Sequence, residues 1–211
     1  MRALLVSISL TVGLVLSLAA GPAAVAAVAA VAAVDGGGQP VDAYAGYEPQ
    51  STCSKRPKPG TVALGDYLVA TYGGSGGAVN RACSGSGASE HKDGRAIDWV
   101  LDADDPGDRS RARQFLTDAF ATDAEGNPQA LARRMGIMYV IWSDRFYPAY
   151  DEFEQQGYLS SSCRNKKKCS KTLRHRDHLH ISLSMAGAKG KTSWYDGGYL
   201  RAAAHSGRVI W

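Results

Sequence analysis

The first strong hydrophobic pattern in the chain is an uninterrupted apolar run near its start. Residues 4–20 carry no charge, an Ala/Val tract continues to Val34, and the first acidic residue is Asp35. A basic start, an apolar centre and repeated Ala-x-Ala cleavage sites are typical of a secretory signal, so we predict a signal peptide and Ala/Val tract over residues 1–34. An uncleaved membrane anchor is the alternative, since about 20 apolar residues span a bilayer. Alanine-rich sequence inserts poorly, which favours cleavage and a secreted protein.

Periodic apolar positions predict three helices further along the chain. The first covers residues 61–72 and stops at Gly73-Gly74, the second is capped by Asp108, and a short third runs from Asn127-Pro128 to Gly136. The first two helices repeat apolar or small residues every three or four positions, at Leu64, Tyr67, Leu68 and Thr71 and at Ala112, Phe115, Leu116, Ala119 and Phe120.

Strand-like segments alternate with these helices. Residues 137–142, IMYVIW, are apolar and rich in β-branched and aromatic side chains, which predicts a buried strand. We predict two further strands at 96–101 and 179–183, a Gly/Ser-rich loop at 73–87, and a long aromatic and then basic insertion at 143–176. Helices flanking a small sheet define an α+β domain.

Composition favours one exported domain. Residues 35–60 are rich in Gly, Pro and Ser and predict a linker, which leaves 61–211 as the domain. Without Arg2, 23 basic and 20 acidic residues remain, and this mild excess does not favour a nucleic-acid partner.

The four cysteines of an exported chain predict two disulfides. Three pairings are possible, and we favour Cys163–Cys169 together with Cys53–Cys83. A zinc site built on cysteines is disfavoured, because the chain has no CxxC pair and an oxidising compartment disfavours free thiolates.

Four of the five histidines fall in two short segments, SEHKDGRAIDW at 89–99 and HRDHLHISL at 175–183. If the second segment is a strand, Leu179, Ile181 and Leu183 share one face and His178, His180 and Ser182 share the other. The apolar face can be buried, and the two imidazoles then face a cleft. We expect His175 in a solvated loop and His205 on the surface.

Asp98 lies inside an otherwise apolar strand. An unpaired buried carboxylate is costly, so Asp98 needs a cation nearby. Gly94 permits a tight turn that could return His91 towards Asp98, and Ala96 leaves space on the same strand face. Together with His180, these residues offer a His/Asp/His ligand set with a fourth position open to water, which is the pattern of a catalytic zinc site.

These motifs resemble those of the zinc D-Ala-D-Ala peptidase superfamily, which also includes lysostaphin-type endopeptidases and the hedgehog signalling domain. The match is SxHxxGxAxD, on Ser89, His91, Gly94, Ala96 and Asp98, followed by HxH on His178 and His180. The resemblance covers roughly residues 61–184 and is nearest to secreted Gram-positive members with SEHKxGRAxDW. It implies a hedgehog/DD-peptidase-like fold, with a small antiparallel sheet flanked by helices.

The resemblance also implies roles for individual residues. His91, Asp98 and His180 would bind zinc, Asp177 would act as the general base, and His178 would stabilise the developing oxyanion. Ser89 would support the loop or the substrate, and Arg81 is the nearest candidate for a substrate-binding arginine, although its context does not match the family well. Asp177 stands where the family usually has the longer Glu. By strand parity Asp177 faces away from His180, so its role requires the backbone to turn before the strand.

Structural readings of the same residues remain open. The three proposed ligands could form a hydrogen-bond network without metal, Asp177 could cap a strand or pair with Arg174 or Arg176, and His178 could be a fourth ligand or a structural neighbour.

Residues Arg164–Arg176 form a basic run of seven Lys and Arg with no acidic residue. The run is either a solvated loop or a contact for an anionic cell-wall polymer. Peptidoglycan or its peptide stems would be the main partner of a monomeric protein.

Three functions follow from these features. The first is a secreted zinc metallopeptidase that hydrolyses peptidoglycan stem peptides, as a D,D- or L,D-type carboxypeptidase or endopeptidase. The second is a non-catalytic zinc-containing module that binds the cell wall, and the third is another hydrolase on the same scaffold, such as an amidase.

Overall fold

The computed structural model describes residues 40–84 and 87–196. The predicted signal peptide, the first residues of the predicted linker, and His205 lie outside the described residues. Within the described ranges, no helix is both long and apolar enough to cross a membrane.

Six strands form one antiparallel sheet in the order β1-β2-β6-β3-β4-β5. The α+β class with a small antiparallel sheet is therefore confirmed. The strands are β1 (Ser75–Gly76), β2 (Ala96–Val100), β3 (Ile137–Trp142), β4 (Arg145–Pro148), β5 (Gln156–Gly157) and β6 (Leu179–Leu183). The helices are α1 (Pro59–Tyr72), α2 (Glu90–Asp93), α3 (Pro106–Ala119), α4 (Ala130–Arg134), α5 (Met185–Ala188) and α6 (Ser193–Asp196), and short 3₁₀ turns lie at Ala149–Asp151, Lys166–Lys168 and Thr172–Arg174.

The three long predicted strands are confirmed, but the loops between them contain additional strands. The Gly/Ser-rich segment 73–87 contributes β1, which pairs with β2. The insertion 143–176 begins with β4 and β5, which extend the sheet beyond β3. Two-residue strands carry no periodicity of their own, so only their pairing partners define them.

Helix α3 begins before the predicted cap. Asp105, not Asp108, is the N-cap, and its side chain accepts a hydrogen bond from the Asp108 backbone N–H at 2.8 Å. Pro106 is suited to the first helical position, because its fixed φ matches a helix and its missing N–H would be unpaired there anyway. The prediction of Asp108 as the cap was therefore wrong, and Asp108 lies in the first turn, where its carboxylate accepts from the Asp102 N–H.

The hydrophobic core lies on one face of the sheet, between the central strands and helices α1 and α3. Its centre consists of side chains that are fully buried, among them Leu64, Leu68, Ile97, Trp99, Phe115, Leu179, Ile181 and Leu183.

Helix α1 runs two residues further N-terminal than predicted and ends at Gly73 with φ of 82°. The opposite face of β2, β3 and β6 carries Asp98, Tyr139 and His180, so the sheet separates the core from a polar surface.

Two disulfides join Cys53 to Cys83 and Cys163 to Cys169, which confirms the favoured pairing. All four cysteines of the chain are thus paired, as expected for an oxidising environment.

Residues 40–58 contain no helix or strand but are bonded to the domain. The Glu48 carbonyl accepts from Arg95, and Asp42 accepts from the Ser193 N–H and hydroxyl.

Candidate metal centre

Helix α2 and the turn that follows it bring His91 to Asp98. The helix ends at Gly94, whose φ of 70° lies in the left-handed region, and a Cβ there would approach Arg56 O to 2.6 Å. Both facts require glycine. The chain then turns into β2, and His91 Nε2 lies 3.0 Å from Asp98 Oδ1. The turn predicted from Gly94 is therefore present.

Strand pairing brings His180 to the same carboxylate. Asp98 on β2 and His180 on β6 are register partners, and His180 Nδ1 lies 2.9 Å from Asp98 Oδ1. The other ring nitrogen, Nε2, lies 3.0 Å from the Ser182 hydroxyl. The Tyr139 ring stacks on His180 with 5.7 Å between ring centres. The orientation of the imidazole is thus fixed from three sides.

The surroundings favour a charged Asp98 carboxylate beside a neutral His91 imidazole. Burial alone would raise the pKa of Asp98, but hydrogen bonds from His180 and His91 hold that pKa well below its ordinary value. Burial lowers the pKa of His91, and the neighbouring His180 lowers it further, against the opposing effect of the hydrogen bond to Asp98. An ionised carboxylate and neutral imidazoles are the forms that bind metal ions.

The donor atoms of His91, Asp98 and His180 fit a metal ion. One ligand atom from each lies within 4.8 Å of the other two. Two nitrogens and one oxygen suit zinc, with bonds of about 2.0–2.2 Å, and three protein ligands leave a position for water. His91 Nδ1 is buried without a hydrogen-bond partner among the described residues, so no protein group competes to reorient the ring. A candidate metal-ligand group of this composition is therefore present.

A cavity of about 290 Å³ opens above this group. Arg81 and Ser89, both predicted as substrate contacts, line it together with His178. The Arg81 N–H donates to His91 O at 3.1 Å, and the Ser89 N–H donates to the Gln50 side chain at 2.8 Å. The structure therefore brings all the predicted site residues to one cavity except Asp177, which does not line it.

Asp177 lies behind His178, in the bend that precedes β6. Asp177 Oδ1 lies 2.7 Å from His178 Nδ1, and Oδ2 accepts from the Thr172 hydroxyl at 2.5 Å. Burial would raise the pKa of Asp177, but the hydrogen bonds from Thr172 and His178 lower it overall. The ionised Asp177 carboxylate can only accept a hydrogen bond, so Nδ1 of His178 carries the proton. The other ring nitrogen, Nε2, lies 3.5 Å from Asp98 Oδ1 and so points to the candidate metal-ligand group.

His175 was predicted in a solvated loop but lies in the cavity wall. Its ring is 4.7 Å from that of His178 and 5.5 Å from that of His180, and its Nδ1 is buried with no hydrogen-bond partner in the described part of the chain. Burial and the two neighbouring imidazoles lower the pKa of His175 to about 2, so the ring is neutral. His175, His178 and His180 form a second group of possible ligands that shares His180 with the first. The spacing HxxHxH was the available signal for this cluster.

Glu90 and Tyr139 also line the cavity, and sequence reasoning missed both as site residues. The Tyr139 hydroxyl donates to Glu90 Oε2 at 2.8 Å. Burial, and then the Glu90 charge, raise the pKa of Tyr139 far above its ordinary value, so the phenol stays protonated. In the sequence, Glu90 is one of several charged residues in SEHKDGR. Nothing there indicates that it contacts Tyr139 of β3.

The fold and site define an α+β domain with a His₂Asp metal-ligand group at the base of a histidine-lined cavity. The chain belongs to the VldE, C-terminal domain family, whose model matches residues 53–167. The matched segment contains His91 and Asp98 but ends before His178 and His180. Neither a curated protein nor a solved structure matches the chain.

Proposed function

We propose that this protein is a secreted zinc metallopeptidase that hydrolyses peptidoglycan stem peptides, as a D,D- or L,D-type carboxypeptidase or endopeptidase. The observation that carries the proposal is the convergence of His91 and His180 on one oxygen of Asp98, at 3.0 and 2.9 Å, beneath an open cavity. The family match supports a peptidase-like domain, and the two disulfides support export.

In this proposal His91, Asp98 and His180 hold zinc, which when bound polarises a carbonyl and lowers the pKa of water. His178 is the group that contacts the reacting atoms. Asp177 holds its Nδ1, so Nε2 is the ring nitrogen that faces the cavity and can act as an acceptor there. His178 can take a proton from water there and return it to the leaving amine.

Asp177 then acts through His178 as a positioning residue. Both of its oxygens already have partners, on His178 and Thr172, which is why we assign the contact with water to the imidazole. The role predicted from the family, in which Asp177 itself takes the proton, stays a prediction that the variants below distinguish.

Arg81 provides the positive charge that a peptide carboxylate needs. Its side chain is exposed at the cavity wall, and its charge contributes to the lowered pKa of His91. Ser89, at the start of α2, lines the same wall. A stem peptide ending in a free carboxylate would therefore bind with that end at Arg81.

The basic run Arg164–Arg176 divides into two parts. Lys171, Arg174 and Arg176 form ion pairs with the carboxylates of Asp102, Asp104 and Asp144. The four other cations, Arg164, Lys166, Lys167 and Lys168, are exposed around the Cys163–Cys169 disulfide. We propose this tip, rather than the whole run, as the contact for an anionic wall polymer.

The test measures zinc content and the release of soluble muropeptides by the purified secreted protein. Wild type is compared with His178→Ala, Asp177→Asn, and Asp151→Asn, which removes an exposed carboxylate elsewhere. We expect about one zinc per chain in all four, with activity lower by about 100-fold or more in His178→Ala and unchanged in Asp151→Asn. Zinc-loaded wild type that releases no muropeptide would refute the peptidase proposal, and a chain without zinc would refute the metal centre.

The two readings of Asp177 differ in the activity that Asp177→Asn retains. An asparagine can still accept from Nδ1, so a positioning role predicts that Asp177→Asn retains more activity than His178→Ala. A direct role as base predicts that Asp177→Asn is as inactive as His178→Ala.

A non-catalytic zinc module that binds the cell wall is the second candidate. The placement of Asp177 favours this candidate. Its carboxylate does not line the cavity and is bonded to Thr172, and a module that only binds the wall needs no base. This candidate predicts zinc binding and sedimentation with peptidoglycan sacculi but no hydrolysis by any variant.

A further inference from the structure

A second groove lies on the face of the sheet opposite the metal centre. It has a volume of about 600 Å³ and is lined by residues of α3, β3 and β4. Strand alternation separates the two sites: Tyr139 and Ile141 of β3 line the metal cavity, whereas Trp142 points to the other side and lines the groove. No residue of the proposed catalytic machinery contributes to it.

Three arginines line this groove, and no acidic residue does. Arg109 and Arg113 are four residues apart on α3 and so share one face of the helix, and Arg145 is paired with Trp142 across β3 and β4. All three are exposed. Arg109 donates to two backbone carbonyls, while Arg113 and Arg145 have no carboxylate partner among the described residues.

The carboxylate next to Arg145 in the sequence is used elsewhere. Asp144 precedes Arg145 in the turn between β3 and β4, and its two oxygens accept from Arg174 at 2.9 and 2.6 Å. Ser143, which lines the groove, lies beside Arg176, whose charge is paired with Asp104. The groove lining thus contains three positive charges and no negative one, and such a lining attracts anions.

The chemistry of the lining indicates the class of ligand. Guanidinium forks bind phosphate in a bidentate manner, and three of them suit a dianionic phosphate ester better than a single carboxylate. The Trp142 and Tyr147 rings provide an apolar wall, and a volume of this size accommodates a small organic molecule. We propose that this groove is a binding site for the phosphate ester of a small sugar, either free or carried as a phosphorylated unit of a glycan.

Isothermal titration of the full secreted chain with glucose 1-phosphate tests the site. The test variant is Arg113→Gln/Arg145→Gln, and the matched control is Arg56→Gln/Lys189→Gln, which removes two exposed charges outside the groove and outside the basic tip. We expect one saturable site in wild type, a loss of affinity of about tenfold or more in the test variant, and no change in the control. All four substituted residues are exposed, and near-UV circular dichroism verifies that the variants are folded.

Glucose, inorganic phosphate and a phosphorylated glycan are tested in the same way. Glucose and inorganic phosphate should each bind more weakly than the ester; equal binding of either would overturn the assignment. No saturable binding to wild type, or equal loss in both variants, would also overturn it. If a phosphorylated glycan displaces glucose 1-phosphate from the groove, the ligand is a unit of a polymer. If it does not, the ligand is the free sugar phosphate. Zinc content is measured in parallel, so failure here is separate from failure of the metal centre.

Discussion

Asp98 and His180 face each other across β2 and β6 as register partners, with Asp98 Oδ1 2.9 Å from His180 Nδ1. Directly opposite residues in an antiparallel pair have Cβ atoms about 4.5–5.5 Å apart, so the pairing of the two strands alone positions both ligands. Only His91 lies outside the sheet, on the short helix α2, and the turn at Gly94 joins that helix to β2. Two of the three candidate metal ligands are therefore positioned by the sheet itself.

Replacing Asp98 by Asn should remove the metal while keeping the side-chain shape. Losing a residue that only hydrogen-bonds to a metal ligand typically lowers metal affinity by about 10–100-fold. Asp98 is itself one of the proposed ligands, so we expect zinc affinity to fall by more than that. The measurement is zinc content after dialysis against a chelator, with unfolding followed in parallel. Asp177→Asn is the comparison, since Asp177 contacts His178 and not the three ligands; equal zinc loss in both variants would contradict the assignment.

Arg95 and Asp93 form a buried ion pair under the first motif. Arg95 is fully buried, lies 3.0 Å from Asp93 Oδ2, and also donates to Leu183 O at 2.9 Å. Changing Arg95 to Met leaves Asp93 as an uncompensated buried charge, so we expect the free energy of unfolding to fall by about 3–5 kcal/mol. Urea denaturation measures the change. The double variant Arg95→Met/Asp93→Asn should recover part of the loss, and a double variant no more stable than Arg95→Met would exclude this mechanism.

The two disulfides should differ in what they contribute to stability. Cys53–Cys83 closes a loop with a sequence separation of 30, and Cys163–Cys169 one of 6. On the chain-entropy argument their contributions are about 3.7 and about 2.4 kcal/mol. Paired Cys→Ser variants, compared by urea denaturation, should show the larger loss for Cys53–Cys83. The reverse order would mean that native contacts of the basic tip, rather than loop entropy, decide the difference.

Asp144 should make the loop that carries His175 sensitive to acid. Arg174 holds the pKa of the Asp144 carboxyl below its ordinary value of 3.8, and the Ser143 N–H donates to His175 O at 2.7 Å. A lowered folded pKa means that the stabilisation is fully present above the ordinary pKa and is lost as the pH falls through the lowered value. Unfolding measured from neutral pH down through pH values below about 4 should therefore show less acid dependence in Asp144→Asn than in wild type. An identical acid dependence in Asp144→Asn and wild type would contradict a stabilising role of the Asp144–Arg174 ion pair.

The sequence predicted the ligand group because its signals are local. Alternation in 179–183 placed His180 opposite the apolar side chains, and the SxHxxGxAxD spacing placed His91 and Asp98 around one glycine turn. Each of these inferences needs only the period of a strand or the conformation of one residue. The structure places the three ligand atoms within 4.8 Å of one another.

The rest of the cavity could not be predicted because it depends on contacts between distant segments. His175 reaches the cavity through a 3₁₀ turn and a left-handed residue (φ 49°), which no periodicity reveals. Glu90 meets Tyr139 only because β6 lies between β2 and β3 in the sheet. The arginine groove likewise combines a helix and a hairpin that are about 30 residues apart in the sequence.

The bonded segment 40–58 bears on how the protein should be produced. An expressed fragment beginning at Thr61 would leave Cys83 as a free thiol and would remove the Glu48 acceptor from Arg95. It would also remove Thr52, which donates twice to Asp93. The shortest fragment that keeps these bonds, and those of Asp42 to Ser193, begins at or before Asp42.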